Sequence, residues 1–192
     1  MFSKAVDQLE DAGYRYIGMD HFALPSDELS VAQDQGRLRR NFMGYTTVSG
    51  DGVLALGPSA ISDFGSSMLQ NSPSLEHYGA AVRQQTFPIE KFLVRSLEDQ
   101  IRSAMIESVL CGCSVSLKTL FLRFPSASEL IQKIFSDAKA KLLPHEGDGL
   151  VWLSEQSISV QQKGRFFLRN IAACFDSYLD SKTSQKRFSQ AI

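Results

Sequence analysis

A chain of 192 residues can form one large domain or two small ones, and 43% hydrophobic residues suffice for a buried core. The formal net charge of -1 gives no global electrostatic reason to bind nucleic acid or an anionic membrane surface, and no apolar run approaches the ~20 residues of a membrane span. The 3 cysteines are odd in number, with Cys111 and Cys113 beside an apolar run; they do not make a disulfide framework, and a reducing, cytoplasmic compartment is expected.

Met1-Phe2-Ser3-Lys4 lacks the long apolar core of a signal peptide. Phe2, Ala5, Val6 and Leu9 form a helical stripe that Gly13 ends, and residues 14–19 alternate as a short strand. A helix leading straight into a strand resembles a βα repeat entered halfway, so the chain is expected to pair with another copy or, preferably, to be the C-terminal part of a longer protein. Pro25 closes the loop carrying Asp20, His21 and Phe22, and Ser26-Asp27-Glu28 opens a helix to about Gly36. After Arg37, Arg39 and Arg40 a strand is predicted over residues 41–47, then a turn cluster at Ser49-Gly50-Asp51-Gly52. Residues 53–61, continuously apolar, read as a buried strand bent at Gly57 and Pro58. A strand within 65–71 and a helix with Pro73 at its first position complete this part.

Beyond about residue 96 the pattern turns helical, over 97–110, 117–124 and 126–143, with Ser126 and Glu129 in capping-box spacing. Two short alternating segments around Val151 and Ile158 signal a hairpin, and a last helix carries Phe167, Ile171, Cys174, Phe175 and Tyr178. Helices, hairpin and closing helix predict a mostly helical, winged-helix-like domain. Lys163-Gly164 beside the hairpin evokes a DNA-reading wing, but near-neutral charge without a basic stripe argues against it. The expected organisation is α/β over residues 1–86, the helical domain over 87–180 and a polar tail over 181–192, where Phe188 and Ile192 could tuck back.

Six blocks in order carry a family resemblance: Gly-Met-Asp-His-Phe-Ala-Leu-Pro-Ser-Asp-Glu-Leu from Gly18, Arg-Asn-Phe-x-Gly-Tyr-Thr-Thr from Arg40, Leu-Gly-x-Ser-Ala-Ile-Ser from Leu56, Asp-Gly-Leu-Val from Asp148, Gly-Arg-x-x-x-Arg-Asn-Ile from Gly164 and Cys-Phe-Asp-x-Tyr-Leu from Cys174. Together they resemble the C-terminal half of oxygen-independent coproporphyrinogen III oxidases, radical S-adenosylmethionine enzymes of haem biosynthesis. The resemblance implies the last strands of a partial β/α barrel followed by a helical domain that covers the site. It implies oxidative decarboxylation of two propionates of coproporphyrinogen III to vinyls, giving protoporphyrinogen IX. The sequence departs from that family in having no Cys-x-x-x-Cys-x-x-Cys, whose three thiolates hold a 4Fe–4S cluster. Cys111-Gly-Cys113 supplies at most two ligands, and all three cysteines read instead as small buried hydrophobes. The cluster is therefore expected only in a missing N-terminal barrel half, itself the expected partner, and the isolated chain is expected to be inactive. The alternative is a non-catalytic tetrapyrrole- or haem-binding relative.

Asp20 and His21, where a strand hands over to a loop, either supply acid–base or hydrogen-bonding groups in the barrel mouth or form a structural pair fixing the loop. The resemblance implies that Phe42 and Ile61 pack against a second S-adenosylmethionine; ordinary core is the alternative. Met43 stands where the family commonly has a polar amide, which weakens that cofactor site. Arg39, with Arg37 and Arg40, and Arg169, with Arg165, are candidates for pairing substrate propionates, or else solvated cations near helix ends.

Overall fold

The computed structural model describes residues 2–48, 50 and 52–180. The Ser49 and Asp51 positions of the turn cluster, and the predicted tail with Phe188 and Ile192, lie outside the described residues. In chain order the elements are α1 (Phe2–Asp11), β1 (Arg15–Gly18), β2 (His21–Ala23), α2 (Glu28–Asp34), β3 (Arg39–Asn41), β4 (Gly44–Thr46), β5 (Ile61–Asp63), β6 (Ser67–Asn71), α3 (Leu75–Arg83), β7 (Ile89–Val94), α4 (Leu97–Gly112), β8 (Ser114–Ser116), α5 (Leu117–Arg123), α6 (Ser128–Gly147), β9 (Val151–Leu153), β10 (Ser157–Val160), a 3-10 turn (Lys163–Phe167), α7 (Leu168–Ala173) and α8 (Ser177–Asp180). They fall into two compact units: one combines the residues up to Thr47 with those from Ile101 onward, and the other is Val48–Gln100.

In the first unit, β1 and β2 pair antiparallel around Met19 and Asp20. The Asp27 carboxylate accepts the Leu29 N–H at 2.8 Å and so caps α2. The predicted single strand over 41–47 is instead a tight hairpin, Arg39–Asn41 against Gly44–Thr46. Phe42 and Met43 form its turn, where Asn41 Oδ1 accepts the Met43 N–H at 2.8 Å. A small core of Ile17, Ala23, Ala32, Leu38 and Cys111 fixes these pieces.

The larger core belongs to the chain after Ile101. Helix α6 buries Ile131, Ile134, Phe135, Ala138 and Leu142, spaced to share one face, and α4 buries Ile101, Ala104, Met105 and Val109 in the same way. Val115, Ile158, Leu168, Ile171 and Phe175 close the cluster, each buried large aliphatic or aromatic side chain contributing about 1.5–3 kcal/mol. The three-stranded sheet runs β8–β10–β9, all antiparallel, so β8 joins the hairpin across some forty residues of sequence. The order helices, hairpin and closing helix follows the sequence pattern and is consistent with a winged-helix-like domain, with β8 an addition to it. The Ser126–Glu129 box is not made, because α6 starts at Ser128 with Ala127 at its cap.

The second unit is a three-stranded antiparallel sheet, β5–β6–β7, with α3. Residues 53–61 are not a buried strand: Val53 makes one isolated bridge to Asp63, and Leu54 and Leu56 are exposed. Ser74, not Pro73, precedes α3, its hydroxyl accepting the His77 N–H at 3.3 Å. Arg95 grips the Asp63 carboxylate in two-pronged fashion at 2.8 and 2.9 Å.

Candidate functional site

At the C-terminal end of β1 the chain turns through Met19, which adopts φ 56, a conformation uncommon outside glycine. The Tyr16 hydroxyl donates to the Met19 carbonyl at 2.9 Å and holds that turn. Beside it lies a recess of about 190 Å³ lined by Met19, Asp20, Arg165, Phe166, Leu168, Arg169 and Asn170, all of the first unit. Two predicted site residues far apart in sequence, Asp20 and Arg169, thus meet at one opening.

The recess has a built wall. Arg165 donates from Nη2 to the carbonyls of Tyr16 and Ile17, the second at 3.3 Å, and its guanidinium lies 5.1 Å from the centre of the Tyr16 ring. Phe166 stacks on Tyr16 at 5.9 Å, and Phe2 meets both rings edge-on. Burial raises the Tyr16 hydroxyl pKa, with the nearby Arg165 charge opposing. Arg169 is exposed, with no hydrogen-bond partner among the described residues, so its fork is open to a carboxylate.

Asp20 and His21 form a direct pair, Oδ1 to Nδ1 at 2.8 Å, with the Asp20 side chain 80% exposed. His21 also meets Tyr45 edge-on at 5.0 Å. Its Nε2 would stand 2.8 Å from a Cβ placed on Gly44, whose φ of 130 independently favours glycine. The Tyr45 hydroxyl donates to the Leu110 carbonyl at 2.8 Å, burial raising its pKa. Tyr45, Met19 and Phe166 are site-shaping residues that the sequence pattern does not single out. Of the three, Tyr45 alone is tied to a glycine: a Cβ on Gly18 would stand 2.6 Å from its hydroxyl.

The other candidates are spread. Phe42 and Met43 stand exposed at the β3–β4 turn, Met43 at 92%, their apolar side chains open to a ligand. Arg39 sits 3.8 Å from Glu107, which also faces Arg123 at 3.5 Å. The Arg40 guanidinium lies 5.0 Å from the centre of the Tyr45 ring, with Nη1 buried and unpaired. Ile61 belongs to the second unit, half-buried opposite Gln70.

The cysteines do not fit an iron–sulfur cluster. No group of three or more His, Cys, Asp or Glu among the described residues is gathered to hold a metal ion. Cys111 is buried, and that burial pushes its thiol up to about 12, away from the thiolate a metal needs. Cys113 is raised for the same reason, against the pull of Arg165. Cys113 and Cys174 are half-buried and pack against the larger core. No helix among the described residues is long and apolar enough to cross a membrane.

No family model matches the chain. It is 36% identical over 192 residues to a protein of Salmonella typhimurium named oxygen-independent coproporphyrinogen III oxidase, covering 100% of this chain and 41% of that one. A protein of the same name from Escherichia coli (strain K12) is 38% identical over 184 residues, covering 96% of this chain and 40% of the other. A solved structure described as "Coproporphyrinogen III oxidase (HemN) from Escherichia coli is a Radical SAM enzyme" superposes with a TM-score of 0.85 at 37% identity, over 92% of this chain and 40% of that one. The chain therefore spans about two-fifths of the length of these relatives.

Proposed function

We infer that this chain, a homologue of oxygen-independent coproporphyrinogen III oxidases that matches their C-terminal part, forms the substrate-covering portion of such an enzyme and acts only together with a cluster-bearing N-terminal portion. The supporting observation is that the likeness runs the whole length of the chain and includes the residues of the recess. The reaction proposed is the conversion of two propionates of coproporphyrinogen III to vinyls, each losing carbon dioxide, one proton and two electrons. The division into barrel strands over residues 1–86 and a covering domain over 87–180 belongs to the same proposal, as does a cytoplasmic setting.

Within it, Arg169 pairs a substrate propionate at the mouth of the recess and Arg165 holds the wall against which it sits. Asp20 lies at that mouth and His21 is hydrogen-bonded to it, an acid and base paired to hold or pass a proton. Phe42 and Met43, open at the hairpin turn, would contact S-adenosylmethionine, and Ile61 is proposed to join them. S-adenosylmethionine, once bound and cleaved, supplies the hydrogen-abstracting species. Arg39 keeps a substrate role only if Glu107 releases it. A 4Fe–4S cluster has no place on this chain's cysteines, and no role here depends on one. The haem-handling alternative has no specific observation in its favour.

In the enzyme completed by an N-terminal portion, Arg169→Ala is expected to raise KM for coproporphyrinogen III about tenfold with kcat little changed, as removal of a binding contact does. Carbon dioxide release measured against substrate concentration gives both constants. An unchanged KM would remove Arg169 from the site.

A further inference from the structure

We propose that Asp20 reads the pyrrole N–H groups of the macrocycle, so that the recess prefers the reduced porphyrinogen to the flat, oxidised porphyrin. This role rests on the substrate class proposed above and adds to it the residue that recognises the oxidation state of the ring.

The observation behind it is a carboxylate kept apart from two cations. Asp20, Arg165 and Arg169 line one recess, yet among the described residues neither guanidinium pairs with Asp20. Arg165 is turned instead to the Tyr16 and Ile17 carbonyls. The bond that Asp20 does make is to its neighbour: a carboxylate only accepts, so His21 Nδ1 donates to Oδ1 at 2.8 Å. His21 rests edge-on against Tyr45, whose hydroxyl is anchored on the Leu110 carbonyl at 2.8 Å. The imidazole thus holds one carboxylate oxygen, while the Asp20 side chain stays 80% exposed and able to accept more.

Such a carboxylate repels a ligand carrying several propionates, and a recess screens that repulsion less than open water does. The repulsion is offset where the same ligand brings hydrogen-bond donors to it. In a porphyrinogen saturated carbons join the pyrroles, every pyrrole keeps its N–H, and the rings can tilt to turn those donors onto one anion. In the oxidised porphyrin the ring is flat, half of the nitrogens have lost their hydrogens, and the remaining N–H groups point to the centre, out of a carboxylate's reach. Arg169 and Asp20 then divide the work, the cation taking a propionate and the anion taking pyrrole N–H groups. A site built to pair a donor rejects the analogue that cannot present it.

The test is anaerobic equilibrium dialysis of the whole chain, in the dark, against coproporphyrinogen III and, separately, coproporphyrin III. Bound tetrapyrrole is measured by fluorescence after oxidation. The reduced macrocycle is expected to bind about tenfold tighter. Asp20→Asn should weaken coproporphyrinogen III about tenfold, as loss of a charge-assisted hydrogen bond does, and leave coproporphyrin III unchanged or tighter. Asp20→Glu keeps both acceptor oxygens and should recover part of the preference. A merely structural role for Asp20 would move both affinities together, and that result would overturn the proposal. So would equal affinity of the unaltered chain for the two macrocycles, or binding of neither. S-adenosylmethionine, whose ammonium is the competing donor, is dialysed in a separate run; a loss confined to it in Asp20→Asn would also overturn the proposal. Turnover is not scored, so a chain that prefers the porphyrinogen but releases no carbon dioxide with an N-terminal portion counts against the proposed function and leaves the role of Asp20 standing.

Discussion

Gly164→Ala is expected to cost about 3 kcal/mol or more, near the top of what an added methyl does in a packed interior. Gly164 is buried in the turn between β10 and α7. A Cβ there would overlap the Leu150 carbonyl oxygen and lie 2.8 Å from Val160 Cγ1. The carbonyl cannot yield cheaply, because it accepts the Gln161 N–H at 2.8 Å at the base of the hairpin. Relief must break that bond or lift the turn away, and the turn carries Arg165. The side chain of Trp152, the single tryptophan, lies on β9 beside this hairpin and reports unfolding by fluorescence in urea. A lower midpoint with an unchanged slope is the expected result. Gly147→Ala serves as the control: it is helical with nothing within 4 Å of its Cβ, and should gain about 0.5–1 kcal/mol. Equal effects at the two glycines would contradict the packing described.

Arg165→Ala should be nearly as costly, for electrostatic reasons. Its guanidinium donates to two strand-end carbonyls, Tyr16 and Ile17, and covers the Tyr16 ring. A hydrogen bond from a charged donor is worth about 1.5–3 kcal/mol, and a partly desolvated cation on an aromatic ring about 1 kcal/mol, so a loss of about 3 kcal/mol is expected. Lysine keeps the charge without the planar fork, and Arg165→Lys should recover less than half of it. The distinguishing readout is local. Amide exchange in residues 15–23 should accelerate in Arg165→Ala, while exchange in α6 follows only the global change. Uniform acceleration would mean that Arg165 merely packs and does not position the Met19–Asp20 turn.

Both residues lie in the block Gly-Arg-x-x-x-Arg-Asn-Ile, yet nothing in the sequence alone separates their jobs. What the sequence does reveal are features carried by local period and local chemistry. The α4 and α6 stripes repeat over more than two turns each, so their buried faces are legible. The two alternating segments around Val151 and Ile158 likewise announce the hairpin. Strand β8 is three residues long and pairs with a strand some forty residues away, too short for a period and too distant for a turn signal. The 41–47 segment reads as one strand because Phe42, Tyr45, Thr46 and Thr47 are all residue types that favour strands. The true signal was Gly44, needed at φ 130 and pressed against His21. The apolar run over 53–61 predicts burial, but Val53, Leu54 and Leu56 stand exposed while Ala55, Ala60 and Ile61 are only half-buried. Helix α6 outruns its predicted end at residue 143 and includes Pro144 in its last turn, so the lost N–H and the ring's crowding of the preceding turn are carried by a helix already anchored by Leu142. At the site, Asp20 and Arg169 converge on one recess while Arg39 turns to Glu107. A linear pattern of arginines cannot say which of them meets a carboxylate of its own chain.

The central claim, that this chain covers the substrate of a radical enzyme whose cluster lies elsewhere, is tested most directly by anaerobic reconstitution with iron and sulfide. The chain is assayed alone and together with the N-terminal portion of the Escherichia coli relative, supplied with S-adenosylmethionine, coproporphyrinogen III and an electron acceptor. Alone it should bind no cluster and release no carbon dioxide; together they should form protoporphyrinogen IX. A cluster absorption band with S-adenosylmethionine cleavage by the chain alone would contradict the account. So would a cluster-loaded complex of the two portions that leaves coproporphyrinogen III unchanged.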